Sequence, residues 1–135
     1  MSARIFIFAI CCVASAGHAA ETPTQEFSEF VIETAGAIQE CDIAVLKESL
    51  ARNNNENVPS ENSSATCRFE NEKKLRITLT ELKQRMGKNK ETIQALNSFF
   101  VSAQSALFGR IKAPPGFMLP TIVEEKAQAV RLLLE

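Results

Sequence analysis

Between Phe27 and Val45 the apolar or small side chains recur in alternating steps of four and three, at Phe27, Val31, Thr34, Ile38, Cys41 and Val45. An α-helix gathers that spacing onto one stripe, because a turn takes about 3.6 residues. A strand would scatter the same residues over both of its faces. Phe30, Ile43, Leu46 and Leu50 are read as widening the stripe, and a helix with so broad an apolar face has to bury it against other helices. Thr22 followed by Pro23, with Gln25 three residues after the threonine, is a capping start. The helix is expected to end near Arg52. Gly36 sits inside it and predicts a bend or a split, since glycine costs about 1 kcal/mol relative to alanine in a helix.

Three further segments carry the same kind of pattern. From Cys67 to Met86, Leu75, Leu79, Leu82 and Met86 follow a helical four-three-four step, whereas Leu75, Ile77 and Leu79 alternate as a strand would. The helical pattern is the longer and stops at Met86-Gly87, so a helix is favoured, with a hairpin through Glu70 to Lys73 as the alternative. A third helix begins at Asn89 or Lys90, carries Ile93, Leu96, Phe100, Ala103 and Leu107 with Phe99 beside them, and stops at Gly109. A fourth starts with the capping-box pattern Thr121 to Glu124 and has a stripe at Val123, Ala127, Val130 and Leu134. The fold class implied is all-α, a small four-helix bundle. Asn53 to Thr66, rich in Asn, Ser and Glu, reads as a long loop after the first helix.

Charge is divided along the chain. Residues 21–72 hold 11 acidic and 3 basic residues, and residues 73–90 hold 7 basic and 1 acidic. An acidic first helix beside a basic second one is electrostatically favourable, although exposed pairs contribute little individually.

The N-terminal segment has a different character. Arg4, the apolar run Ile5 to Ala14, and the small residues Gly17 and Ala19 at positions −3 and −1 of a cut after Ala19 are the three parts of a cleaved secretory signal. The run falls short of the roughly 20 apolar residues a spanning helix needs, so stable membrane insertion is not expected. Residues 20–135 then form one domain working in the periplasm, or secreted if the source is not a Gram-negative bacterium.

Removing the segment removes the single histidine, His18, together with Cys11 and Cys12. Without imidazole, the Ser-His-Asp and Cys-His mechanisms and the His-ligated metal and haem sites are excluded. No glycine-rich phosphate loop is present, and no cofactor or metal is expected. The remaining 14 basic and 16 acidic residues give no electrostatic reason to expect nucleic-acid binding. Glu26, Glu29, Glu33 and Glu40 share one helical side, but solvated carboxylates there do not suggest catalysis, so a non-enzymatic protein is expected.

Two features remain. Cys41 and Cys67, the remaining cysteines, are expected to pair as a disulfide, which in so small an exported domain is a substantial staple. Phe117, Met118 and Leu119 lie between Pro115 and Pro120, where no helix can continue. They either seal one end of the bundle or project as an apolar knob into a partner, and Phe99, adjacent to Phe100, poses the same alternative. The basic run Lys83, Arg85, Lys88 and Lys90 is a solvated helix end or a surface for an acidic partner.

The type, a small exported helical protein with one disulfide, is similar to several bacterial periplasmic accessories: immunity proteins that neutralise a toxin, secretion-system adaptors and small stress chaperones. This likeness of type carries no residue over. The expected function is binding of another protein. The alternative is a carrier of a small or apolar ligand in a pocket lined by Phe99, Phe100 and Leu107.

Overall fold

A computed structural model describes residues 21–86, 89–116 and 118–135. Four helices follow one another, α1 (Pro23–Asn53), α2 (Ser64–Met86), α3 (Lys90–Leu107) and α4 (Thr121–Leu134), with a 3-10 turn at Ser60–Asn62. No strand occurs among the described residues. The fold is the expected all-α bundle. The proposed signal, Met1 to Ala19, lies outside the described residues.

Helix α1 starts where its cap predicts. Thr22 Oγ1 accepts from the Gln25 N–H at 3.2 Å, and Pro23 takes the first turn, where its missing N–H costs nothing. The helix then runs unbroken through Gly36, so the expected bend does not occur. Burial of Val31, Thr34, Ala37 and Ile38 on either side outweighs the local cost of the glycine. Thr34 is fully buried yet satisfied, because its hydroxyl donates to the Phe30 carbonyl at 2.7 Å.

The stretch read as strand or helix is helix. Leu75, Leu79 and Leu82 turn inward, whereas Ile77, which the strand reading groups with them, is 53% exposed. Helix α2 also begins earlier than Cys67. Ser63 is the local N-cap, its Oγ accepting from the Thr66 N–H at 3.1 Å. Glu48 of α1 accepts hydrogen bonds from both the backbone N–H and the hydroxyl of Ser64, satisfying a further donor of the α2 N-terminus from a neighbouring helix. The connection after α1 is therefore confined to Asn54–Ser63, partly ordered by the 3-10 turn, and is shorter than the loop expected over Asn53 to Thr66. Asn55 takes a left-handed backbone, φ 58°, and the Glu56 N–H reaches back to the Ala51 carbonyl, which closes the helix tightly.

Helices α1 and α2 are antiparallel. The Cys41–Cys67 bond ties them near one end, and Arg85 Nη1 meets Glu26 Oε1 at 2.6 Å near the other. Helix α3 runs back against α2, with Gln104 donating to Glu72 at 2.7 Å and Phe108 edge-on to Phe69. Among the inward side chains of α3, Phe99 meets the rings of Phe27 and Phe30 edge-on, with centroids 5.3 and 5.6 Å away. Both Phe99 and Phe100 are buried, because α3 packs against α1, α2 and α4 rather than along a single seam.

Helix α4 closes the core with Val123, Ala127 and Val130, all fully buried, and with Leu134 packed at the edge. Its expected capping box does not form. Thr121 is the first helical residue, and Pro120 precedes it with no side-chain hydrogen bond.

Candidate partner-binding surface

The disulfide is formed as expected, with Cys41 and Cys67 sulfurs 2.11 Å apart and their Cα atoms 5.6 Å apart. Cys41 is buried, while Cys67 borders a surface cleft of about 640 Å³ between α1, the 3-10 turn and α2. Asn71, one helical turn beyond Cys67, is buried at the same place. Its amide donates to the Cys67 carbonyl at 3.1 Å and lies 3.4 Å from Glu40 Oε2, with both sulfurs within 3.6 Å. Beside this tie, the Ser64 N–H and hydroxyl hold the Glu48 carboxyl below the usual carboxylate range, and Arg52 and Arg68 act in the same direction. A covalent bond and a charged cap thus fix the start of α2 to α1.

The proline segment is divided in what it does. Phe117 lies outside the described residues. Leu119 packs against the core together with Phe108, Ile111 and Ala113, so part of the segment does seal the bundle. Met118 points outward and is 66% exposed. With Ala113 to Gly116 it forms one wall of a notch of about 220 Å³, whose other wall is α1 at Ala35, Ile38, Gln39, Asp42, Ile43 and Leu46.

That wall exposes a second correction. Ile43, Leu46 and Leu50 do not widen the buried stripe of α1; they are 42%, 63% and 63% exposed. At about 100° per residue Leu50 lies half a turn from Cys41, and Ile43 and Leu46 fall beside it. The inward stripe ends at Cys41. Beyond it α1 presents an outward apolar ridge, continuous with Met118 across the notch. Helical-wheel arithmetic finds this ridge in the sequence, whereas grouping by apolarity alone merges it with the core.

Phe99, the other candidate contact residue, is not on any surface. It is 0% exposed and enclosed by Phe27 and Phe30, because three aromatic rings fill the space between α1 and α3. Phe99, Phe100 and Leu107, expected to line a carrier's pocket, are core side chains.

The carboxylates grouped on one helical side are separated. Glu26, Glu29 and Glu33 line a cleft of about 370 Å³ with Glu21, Glu81 and Arg85, whereas Glu40 opens onto the cleft at the disulfide with Lys47 and Lys74. Glu26 is ion-paired to Arg85, and Glu33 accepts from Thr78 at 3.2 Å. Among the described residues no group of three or more acidic, Cys or His side chains is placed to hold a metal ion, and no helix is long and apolar enough to cross a membrane. Of the basic run, Arg85 is committed to Glu26, and Lys88 lies outside the described residues. No protein-family model matches the chain, and comparison with curated proteins and with solved structures finds no match either.

Proposed function

We infer that the protein acts outside the cytoplasm, without catalysis, by holding another protein against the apolar surface that Met118 shares with Ile43 and Leu46. An immunity protein that neutralises a toxin and an adaptor of a secretion system both work in this way. The observation that carries the reading is Met118, a large flexible apolar side chain held out from the bundle on a proline-bounded segment while its neighbour Leu119 anchors that segment to the core. Thioether and aromatic side chains in such positions are favoured contacts because they adapt to a partner's shape. The N-terminal pattern from Arg4 to Ala19 supports export, and the lack of any histidine outside that segment supports a role in contact rather than catalysis. Phe99, Phe100 and Leu107 are core side chains, with Phe99 against the rings of Phe27 and Phe30, which favours binding of a protein over carriage of a small molecule.

A photo-crosslinking amino acid at position 118, compared with one at the exposed Gln128 of α4, tests this in cells of the source organism. A discrete heavier adduct from position 118, absent from position 128 and containing one other protein, is the expected result. The same ladder from both positions, or no adduct from either, would refute it.

A further inference from the structure

We propose that the outward ridge of α1 is a self-association surface on which a second copy of this chain docks in antiparallel orientation. The ridge has the spacing of a helix-pairing seam. Ile43, Leu46 and Leu50 are separated by steps of three and four, and Gln39, Gly36 and Ile32 continue the same line backwards. Ile32, Leu46 and Leu50 are all more than 60% exposed, and a Cβ at Gly36 would meet nothing within 4 Å, so these positions face outward, while Gln39 between them is half-buried with its side-chain oxygen enclosed. The opposite side of the same helix carries Phe27, Phe30, Thr34, Ile38 and Cys41 into the core. Helix α1 is thus apolar on two opposed faces, and the bundle covers only one.

Charge selects the occupant and its direction. Glu40 and Lys47 flank the ridge on the same side, seven residues apart, and both border the cleft beside the disulfide. When two α1 helices are laid antiparallel about a two-fold axis between Ile43 and Leu46, Glu40 of each chain comes opposite Lys47 of the other. The pair forms twice, as a closed two-fold interface requires. The same register sets Ile43 against Leu46 of the second copy. It also carries Leu50 over Gln39 of the second copy, at the notch bounded by Pro115 and Met118. A ridge and a notch on one surface are therefore mutually complementary.

The inference goes beyond the partner-binding reading, because a second copy and a different protein compete for the same ridge, and it is tested separately. Sedimentation velocity of the full-length mature protein, from about 5 to 500 µM, reads it directly, because a contact at the small end of the interface range gives a weak dimer in the micromolar regime. Dimer is expected to accumulate over this range. Leu46→Glu is expected to weaken the dimer at least tenfold while leaving the melting temperature unchanged, since the side chain is already in solvent. Lys47→Glu is expected to weaken it several-fold, and the double variant Glu40→Lys/Lys47→Glu to restore it.

A monomer at every concentration overturns the proposal, as does a dimer indifferent to Leu46→Glu. Rescue of Lys47→Glu by Asp42→Lys instead of Glu40→Lys overturns the antiparallel register, since Asp42 flanks the other side of the ridge and meets Lys47 only in a parallel pair. A monomer whose position 118 still crosslinks to a different protein refutes the dimer alone. A dimer with no foreign adduct refutes the partner-binding reading alone.

Discussion

Removing the Cys41–Cys67 bond is the most informative perturbation of this fold, because its effect is calculable before the measurement. The sequence separation is 26 residues. Closing a loop of that size lowers the entropy of the unfolded chain by about 12 cal/mol/K, or about 3.5 kcal/mol at 25 °C on the chain-entropy model. Other contacts at the site survive reduction. Asn71 keeps its bond to the Cys67 carbonyl, and the Glu48–Ser64 cap still holds α2 to α1, so the native state need not rearrange. Equilibrium urea unfolding followed by circular dichroism, on oxidised protein, on reduced protein and on the Cys41→Ala/Cys67→Ala variant, measures the difference. With an m-value of about 1–1.5 kcal/mol/M for a domain of this size, the midpoint falls by about 2.3–3.5 M on reduction. The m-value itself rises, because an uncrosslinked unfolded chain exposes more surface. The alanine variant is less stable than the reduced wild type, since Cys41 is fully buried and its sulfur leaves a void. A loss of under about 1 kcal/mol on reduction, or two reactive thiols per chain in the unreduced protein, would refute the reasoning.

Phe99→Ala empties the centre of the aromatic cluster and is expected to cost about 3–5 kcal/mol, read as a lower urea midpoint; Phe99→Leu, which keeps most of the volume but loses two edge-on ring contacts, costs distinctly less. A small effect of Phe99→Ala would show that α3 does not pack as described. Glu48 carries a pH signature. Because its carboxyl titrates lower in the folded than in the unfolded chain, its stabilising effect is present above the unfolded value near 4.5 and is lost as the pH falls through the folded value. The melting-temperature gap between wild type and Glu48→Gln is therefore present at pH 7 and closes on acidification. A gap that does not change with pH would rule out the charged cap.

The helical class, the pairing of the two cysteines and the inward stripe of α4 were all legible in the sequence, because each rests on spacing along one segment. Two boundaries were not. The start of α2 has a local signal, Ser63 capping Thr66 three residues on, which the uniformly polar composition of 53–66 hides, and a non-local one in Glu48, sixteen residues upstream on another helix. Thr121 has the composition of a capping box, yet the extended Pro120 takes the N-cap position and its carbonyl accepts from the Glu124 N–H, so the threonine is left inside the first turn. Gly36 failed as a breaker for a similar reason: the cost is local, while the compensation comes from side chains packed against other helices. Of the candidate contact residues, Met118 is exposed, as the prolines on either side of its segment suggest, whereas Phe99 was misplaced because neighbouring aromatics on a helix with three packing partners can both be core.

Helix α1 outruns the bundle it belongs to. Its buried residues stop at Cys41, and the stretch from Asp42 to Asn53 continues for about 18 Å supported mainly from the α2 side. Mechanically this is a cantilever, with the disulfide as the bolt at its root and the Glu48–Ser64 contact as a strut partway along. Ile43, Leu46 and Leu50 all lie on the overhang. The stiffness of the exposed ridge, and hence the conformational entropy lost by whatever docks there, is set by the oxidation state of a bond between Cys41, on the opposite side of the same rod, and Cys67 of α2. Hydrogen exchange at 42–53 is accordingly the observable in which reduction of the bolt registers before the core loosens.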